Sequence, residues 1–132
     1  MIQKFRAWIS EADTMTNDLK GIDFENETVV LKKFYWEDGF PVEEEVFEVE
    51  IGNAILMQST GLKDKNGKEI FEGDIVKMAK DVYSEPTHYE VVKHRGGAYR
   101  LESKQHGCEL WLRHTDCELV GNIYENKELL DA

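Results

Sequence analysis

The sequence predicts a mainly β protein, with a β-rich N-terminal part over residues 1–56 and a small barrel over residues 57–132 of one domain. Three observations carry that prediction. Apolar residues alternate with polar ones in Lys4–Ile9 and again in Glu43–Ile51, the two-residue period of a half-buried strand. Asn66-Gly67 sits between two apolar runs, the strongest short-range hairpin signal. After Gly73, four or five short β-type runs follow one another across tight turns, as in a small barrel.

Taken in order, Phe5, Ala7 and Ile9 share one side of a first strand, with Lys4, Arg6 and Trp8 on the other. Ser10 to Gly21 is polar, and the four-residue spacing of Met15 and Leu19 leaves a loop or a helical turn open. Ile22-Asp23-Phe24 and Thr28–Leu31 form a hairpin across Glu25-Asn26-Glu27. Phe34-Tyr35-Trp36 could be a stacking platform for bases or sugars, but the surrounding acidity favours a continuation of the second strand that packs on a core or on a neighbouring subunit. Asp38-Gly39-Phe40-Pro41 turns the chain. In the next strand Phe47, Val49 and Ile51 face one way and Glu48 and Glu50 the other.

Met57–Met78 is the distinctive stretch. A type I′ turn at Asn66-Gly67 needs positive φ at both central residues, which Asn tolerates and Gly takes freely. Gly73-Asp74 then turns the chain into a fresh strand led by Ile75 and Val76. By analogy, Gly-Asp-x-Val is a frequent opening of the first strand in SH3-like barrels. Ala79–Pro86 reads as a loop, His88–Lys93 and Ala98–Glu102 as a hairpin across Arg95-Gly96-Gly97, and Ser103–Gly107 as a turn. Glu109–Arg113 alternates like a strand, Glu118–Tyr124 is the last strand, and Glu125–Ala132 is a short helical or frayed tail.

The balance of 16 basic against 27 acidic residues gives a net charge of −11. Residues 1–60 hold five Lys/Arg and thirteen Asp/Glu, a net of −8; residues 61–132 hold eleven and fourteen, a net of −3. Such a surface repels a phosphate backbone and argues against general nucleic-acid binding. The sequence has no apolar run of signal-peptide or membrane-span length, so Cys108 and Cys117 are expected as reduced thiols in a cytoplasm.

Candidate chemistry is sparse. Asp64, Glu69, Glu72 and Asp74 could supply paired carboxylates, but acidic residues gather in turns for conformational reasons, and no calcium-loop pattern is present. His106-x-Cys108 with His114-x-x-Cys117 offers two His and two Cys to a tetrahedral metal. The spacings are not those of zinc fingers, and on one strand Cys108, Leu110, Leu112 and His114 would share a face that looks like core. Ser59-Thr60-Gly61 is not a nucleophile elbow, and both phosphate-binding glycine motifs are absent. We therefore assign no catalytic, cofactor-binding or metal residues and expect no enzyme.

Four blocks together resemble the YopX family of phage and prophage proteins. They are Lys4–Trp8, Met57–Val76, Gly96-Gly97-Ala98-Tyr99 and Glu118–Asn126. The resemblance implies a β-rich protein with an SH3-like second half, encoded by phage and acting in the bacterial host's cytoplasm. It implies no activity or cofactor. Three roles compete. The first is a non-enzymatic module that forms homo-oligomers or binds a phage or host protein. The second is a DNA mimic whose Glu44, Glu48 and Glu50 make one acidic face. The third is a barrel that binds nucleic acid through Lys77, Lys93, Arg95, Arg100 and Arg113.

Overall fold

The alternation at the start of the chain forms the strand it predicts, β1 (Phe5–Ile9). The computed structural model describes residues 4–16, 19–94, 96–104 and 106–131 and is mainly β, with one turn of α-helix. The chain divides after Met57 into two compact units.

In the first unit, β1 pairs antiparallel with β2 (Thr14–Thr16), with Ala7 opposite Thr16 and Ile9 opposite Thr14. The described residues of 10–21 are thus neither a plain loop nor a helical turn. Ala12 N–H donates to the Ile9 carbonyl at 3.2 Å, and Asp13 adopts φ +48°. That tight reversal folds two β-branched threonines back onto β1. Strands β3 (Leu19–Asp23), β4 (Thr28–Glu37) and β5 (Phe40–Glu50) form an antiparallel sheet in that order. The Asp23 carboxylate closes the first connection by accepting the backbone N–H groups of Glu25 and Asn26, each at 3.1 Å. The second connection is two residues long. Asp38 at φ +50° and Gly39 at φ +82° sit between the paired Glu37 and Phe40, the geometry of a type I′ turn.

Ala7, Ile9, Val29, Leu31 and Ala54 form the core of this unit, with Leu19, Val49 and Leu56 around it. Arg6 and Trp8 are buried as well, so β1 has no solvent face at its centre. Ile51 does not extend the Val49 face. The strand stops at Glu50, and Ile51–Asn53 form a 3-10 turn in which Ile51 N–H donates to the Glu27 carbonyl at 2.9 Å.

Strand β6 (Ala54–Lys63) begins in the first unit and continues in the second, where it pairs with β7 (Glu69–Phe71). Around Ser59-Thr60-Gly61 the register shifts. Ser59 Oγ accepts Gly61 N–H, while Thr60 Oγ1 accepts Leu62 N–H and donates to the Ile70 carbonyl at 2.7 Å. The segment is a hydrogen-bonded bulge. The hairpin tip differs from the two-residue expectation. Asn66 keeps negative φ, only Gly67 is left-handed at φ +82°, and Asp64 N–H donates to the Lys68 carbonyl at 2.8 Å. The loop is Lys65-Asn66-Gly67, a three-residue turn with glycine at its αL position.

Five antiparallel strands make the main sheet. Their order is β11 (Gly107–Glu109), β10 (Tyr99–Glu102), β9 (Thr87–Lys93), β8 (Asp74–Met78) and β12 (Glu118–Asn122). Gly73 turns into β8, its N–H donating to the Val91 carbonyl, and the Asp74 carboxylate accepts Phe71 N–H at 2.7 Å. Ile70, Val76, Met78, Tyr89, Val91, Leu101, Leu110 and Cys117 form the core. The strand expected at Glu109–Arg113 ends at Glu109 and gives way to α1 (Leu110–Arg113). A short apolar run suits either structure locally. Burial decides, because Leu110 is fully buried while Leu112, which a strand would place on the same face, is 58% exposed.

Candidate interaction surface

Two of the four turn carboxylates, Asp64 and Asp74, serve the backbone. Asp64 is buried, its Oδ1 accepting Asn66 and Lys68 N–H and its Oδ2 accepting Leu119 N–H, all within 2.9 Å. Burial alone would raise its pKa, but those three donors and the Lys68 charge outweigh it and hold the carboxyl below its ordinary value. Asp74 is likewise buried and bonded to the backbone, while Glu69 and Glu72 are half-buried at the ends of the β7 segment.

The His/Cys set is divided among separate jobs. His106 meets Tyr89 edge-on, with ring centroids 6.2 Å apart. Nδ1 of His114 lies 2.7 Å from the Lys63 carbonyl, and since a carbonyl only accepts, that nitrogen carries the proton. Cys108 is half-buried against the core, and Cys117 is buried with Sγ 3.3 Å from the Arg113 carbonyl and 3.9 Å from Met78 Sδ. Both thiols are free. Among the described residues, no three His, Cys, Asp or Glu side chains gather where a metal ion could sit.

Burial pushes the Cys117 thiol up to about 12, with the neighbouring Cys108 and Asp116 adding to it. Burial also raises Cys108, against the opposing charges of Arg113 and Arg100. The thiolate is the reactive form. In folded protein at neutral pH, a maleimide should therefore label Cys108 slowly and leave Cys117 unmodified until denaturant is added, as peptide mass spectrometry would read.

The cations proposed for nucleic acid do not line one side. Val91 and Leu101 face the core, and Lys93 has their parity, whereas Lys77 and Arg100 have the opposite parity. Arg100 is held by Glu102 at 3.0 Å and by Glu109 at 2.6 Å, and Lys93 donates to Gln58 Oε1 at 3.1 Å. Arg95 lies outside the described residues. Of the acidic trio, Glu48 and Glu50 are exposed on β5, and the side chain of Glu44 lies outside the described residues, as do those of Phe34, Tyr35 and Trp36.

The second unit instead exposes apolar side chains on a fixed support. One helical turn is too short to persist unaided. Here Leu110 anchors α1 in the core, and Arg113 secures its far end. The Arg113 guanidinium donates to the Ala79 and Lys80 carbonyls at 3.0 and 3.2 Å, and to Asp116 at 2.9 Å. Between those anchors Trp111 and Leu112 stand 63% and 58% exposed. The loop that Arg113 grips carries Val82 and Tyr83, 90% and 95% exposed. Its tip is shaped by Asp81, whose Oδ1 accepts Tyr83 N–H and Ser84 Oγ. Sequence reasoning missed these four residues. The available signal was an adjacent Val-Tyr pair inside an otherwise polar loop, bracketed by the turn formers Asp81 and Ser84.

A family model described as YopX protein matches residues 4–131. The fold is similar to the crystal structure of protein EF1440 from Enterococcus faecalis, at 30% identity and a TM-score of 0.64, covering 98% of this chain and 99% of that chain. It is also similar to the crystal structure of protein yopX from Bacillus subtilis, at 26% identity and a TM-score of 0.62, covering 96% of this chain and 97% of that chain. No curated protein matches. Among the described residues, no helix is long and apolar enough to cross a membrane. With the family's pattern running from Lys4 into the final 3-10 turn, the chain belongs to the YopX protein family.

Proposed function

We propose that the protein is a non-enzymatic interaction module, phage- or prophage-encoded, which assembles with itself or docks on a phage or host protein in the bacterial cytoplasm. The observation that carries this reading is the set Val82, Tyr83, Trp111 and Leu112, exposed on segments that Arg113 ties together. Single exposed apolar residues are ordinary, but several on adjoining segments favour a protein partner over water. The hydrogen bonds from Arg113 to the Ala79 and Lys80 carbonyls strengthen the reading, because backbone that is already tied has less freedom to lose on docking. In the same reading the second unit is an SH3-like small barrel that serves as the scaffold.

Light scattering tests this directly. The wild type should run well above the monomer mass of 15.3 kDa or co-purify with a stoichiometric partner. The Trp111→Ser, Leu112→Ser double variant should lose that assembly while remaining folded. A wild type that stays at the monomer mass and carries no partner would overturn the proposal.

A further inference from the structure

The first unit leaves a sheet edge open along β5. This strand runs for 11 residues, lies at the end of the β3-β4-β5 order, and pairs only with β4 among the described residues. Pro41 fits that position, since proline within a sheet belongs on an edge strand. An edge presents a row of backbone N–H and C=O groups that another extended chain can complete.

Charge decides what can complete it. Val29 and Leu31 of β4 face the core, so Val49, the partner of Val29, shares that side, and Val46, Glu48 and Glu50 take the other. Glu48 and Glu50 are exposed there, and neither has an ion-pair partner among the described residues. The exposed Val46 precedes Glu48 on that face.

A second copy of this chain fits poorly. With faces aligned, every antiparallel register that overlaps most of β5 sets a glutamate position opposite another. Glu44 meets Glu48 or Glu50, or else Glu43, Glu44 or Glu45 meets its own copy. Like charges directly opposite one another destabilise a strand pair. The glutamates that block self-pairing are complementary to a strand of the opposite sign.

We propose that β5 is a β-augmentation site for an extended, basic protein segment, in which Lys or Arg alternates with apolar residues. The main chain would supply pairing, while Glu48 and Glu50 select the charge. This site belongs to the first unit and is independent of the apolar surface on the second.

The test uses fluorescence anisotropy with a labelled ten-residue peptide alternating lysine and valine. Comparison peptides carry glutamate for lysine, or N-methyl groups on alternate amides with the lysines kept. The lysine peptide should bind, and more weakly as salt rises. Both comparison peptides should fail to bind, and Glu48→Lys with Glu50→Lys should weaken the lysine peptide by about tenfold or more. Equal binding of the N-methylated peptide would reduce the interaction to charge alone and overturn the proposal. No binding of the lysine peptide at low salt, or undiminished binding by the folded double variant, would overturn it equally.

Discussion

Asp64→Asn should lower the unfolding free energy by about 2–4 kcal/mol, the range for disturbing a buried, charge-assisted network. The carboxylate receives three backbone N–H groups, two within its own hairpin and one from Leu119, and Lys65 N–H adds a bond to the Cys117 carbonyl at 2.9 Å. An amide keeps the shape but turns one acceptor oxygen into a donor, which then faces a backbone N–H. The damage should localise to the hairpin and the start of β12, so hydrogen exchange at Leu119 should accelerate together with the lower urea midpoint.

The acid behaviour supplies a second check. In the folded state the Asp64 carboxyl lies below its ordinary value of 3.8. A depressed carboxyl stabilises the fold fully above its unfolded pKa and loses that contribution as pH falls through the folded pKa. The wild-type advantage over Asp64→Asn should therefore hold steady above about pH 5 and shrink below about pH 4. A gap that widens in acid would contradict the hydrogen-bond assignment.

Asp64 also marks where sequence legibility ends. Strands β1 and β5 were readable from a two-residue period of apolar and polar residues, although both faces of β1 prove buried, and β8 from the β-branched Ile75 and Val76 that follow Gly73-Asp74. Two Asx-Gly dipeptides both satisfied the chemistry of a type I′ turn, and local chemistry could not rank them. Asp38-Gly39 adopts it, whereas at Asn66-Gly67 the Asp64 carboxylate gathers the N–H groups of Asn66 and Lys68 and a longer loop results. Its third donor, Leu119, is 55 residues away, a separation no local pattern reports. Val82 and Tyr83 were legible only as an apolar pair in a polar loop, for a related reason: exposure of an apolar residue depends on what fails to pack on it.

Leu110→Ala should be among the most damaging core truncations, at about 2–5 kcal/mol. Its side chain is fully buried in the cluster with Val76, Tyr89 and Leu101. Shortening it leaves a cavity and also frees α1, which has no other core anchor in its own sequence. Trp111→Ser and Leu112→Ser, one and two positions along the same turn, should each change stability by only about 0.5 kcal/mol, because their side chains already face water. Urea unfolding of the three variants would measure the contrast. A strand at this place would have put Leu110 and Leu112 on one face and made their truncations comparably costly. Unequal effects would thus establish the helical turn in solution. They would also let loss of assembly in the Trp111 and Leu112 variants be read as loss of a surface rather than loss of the fold.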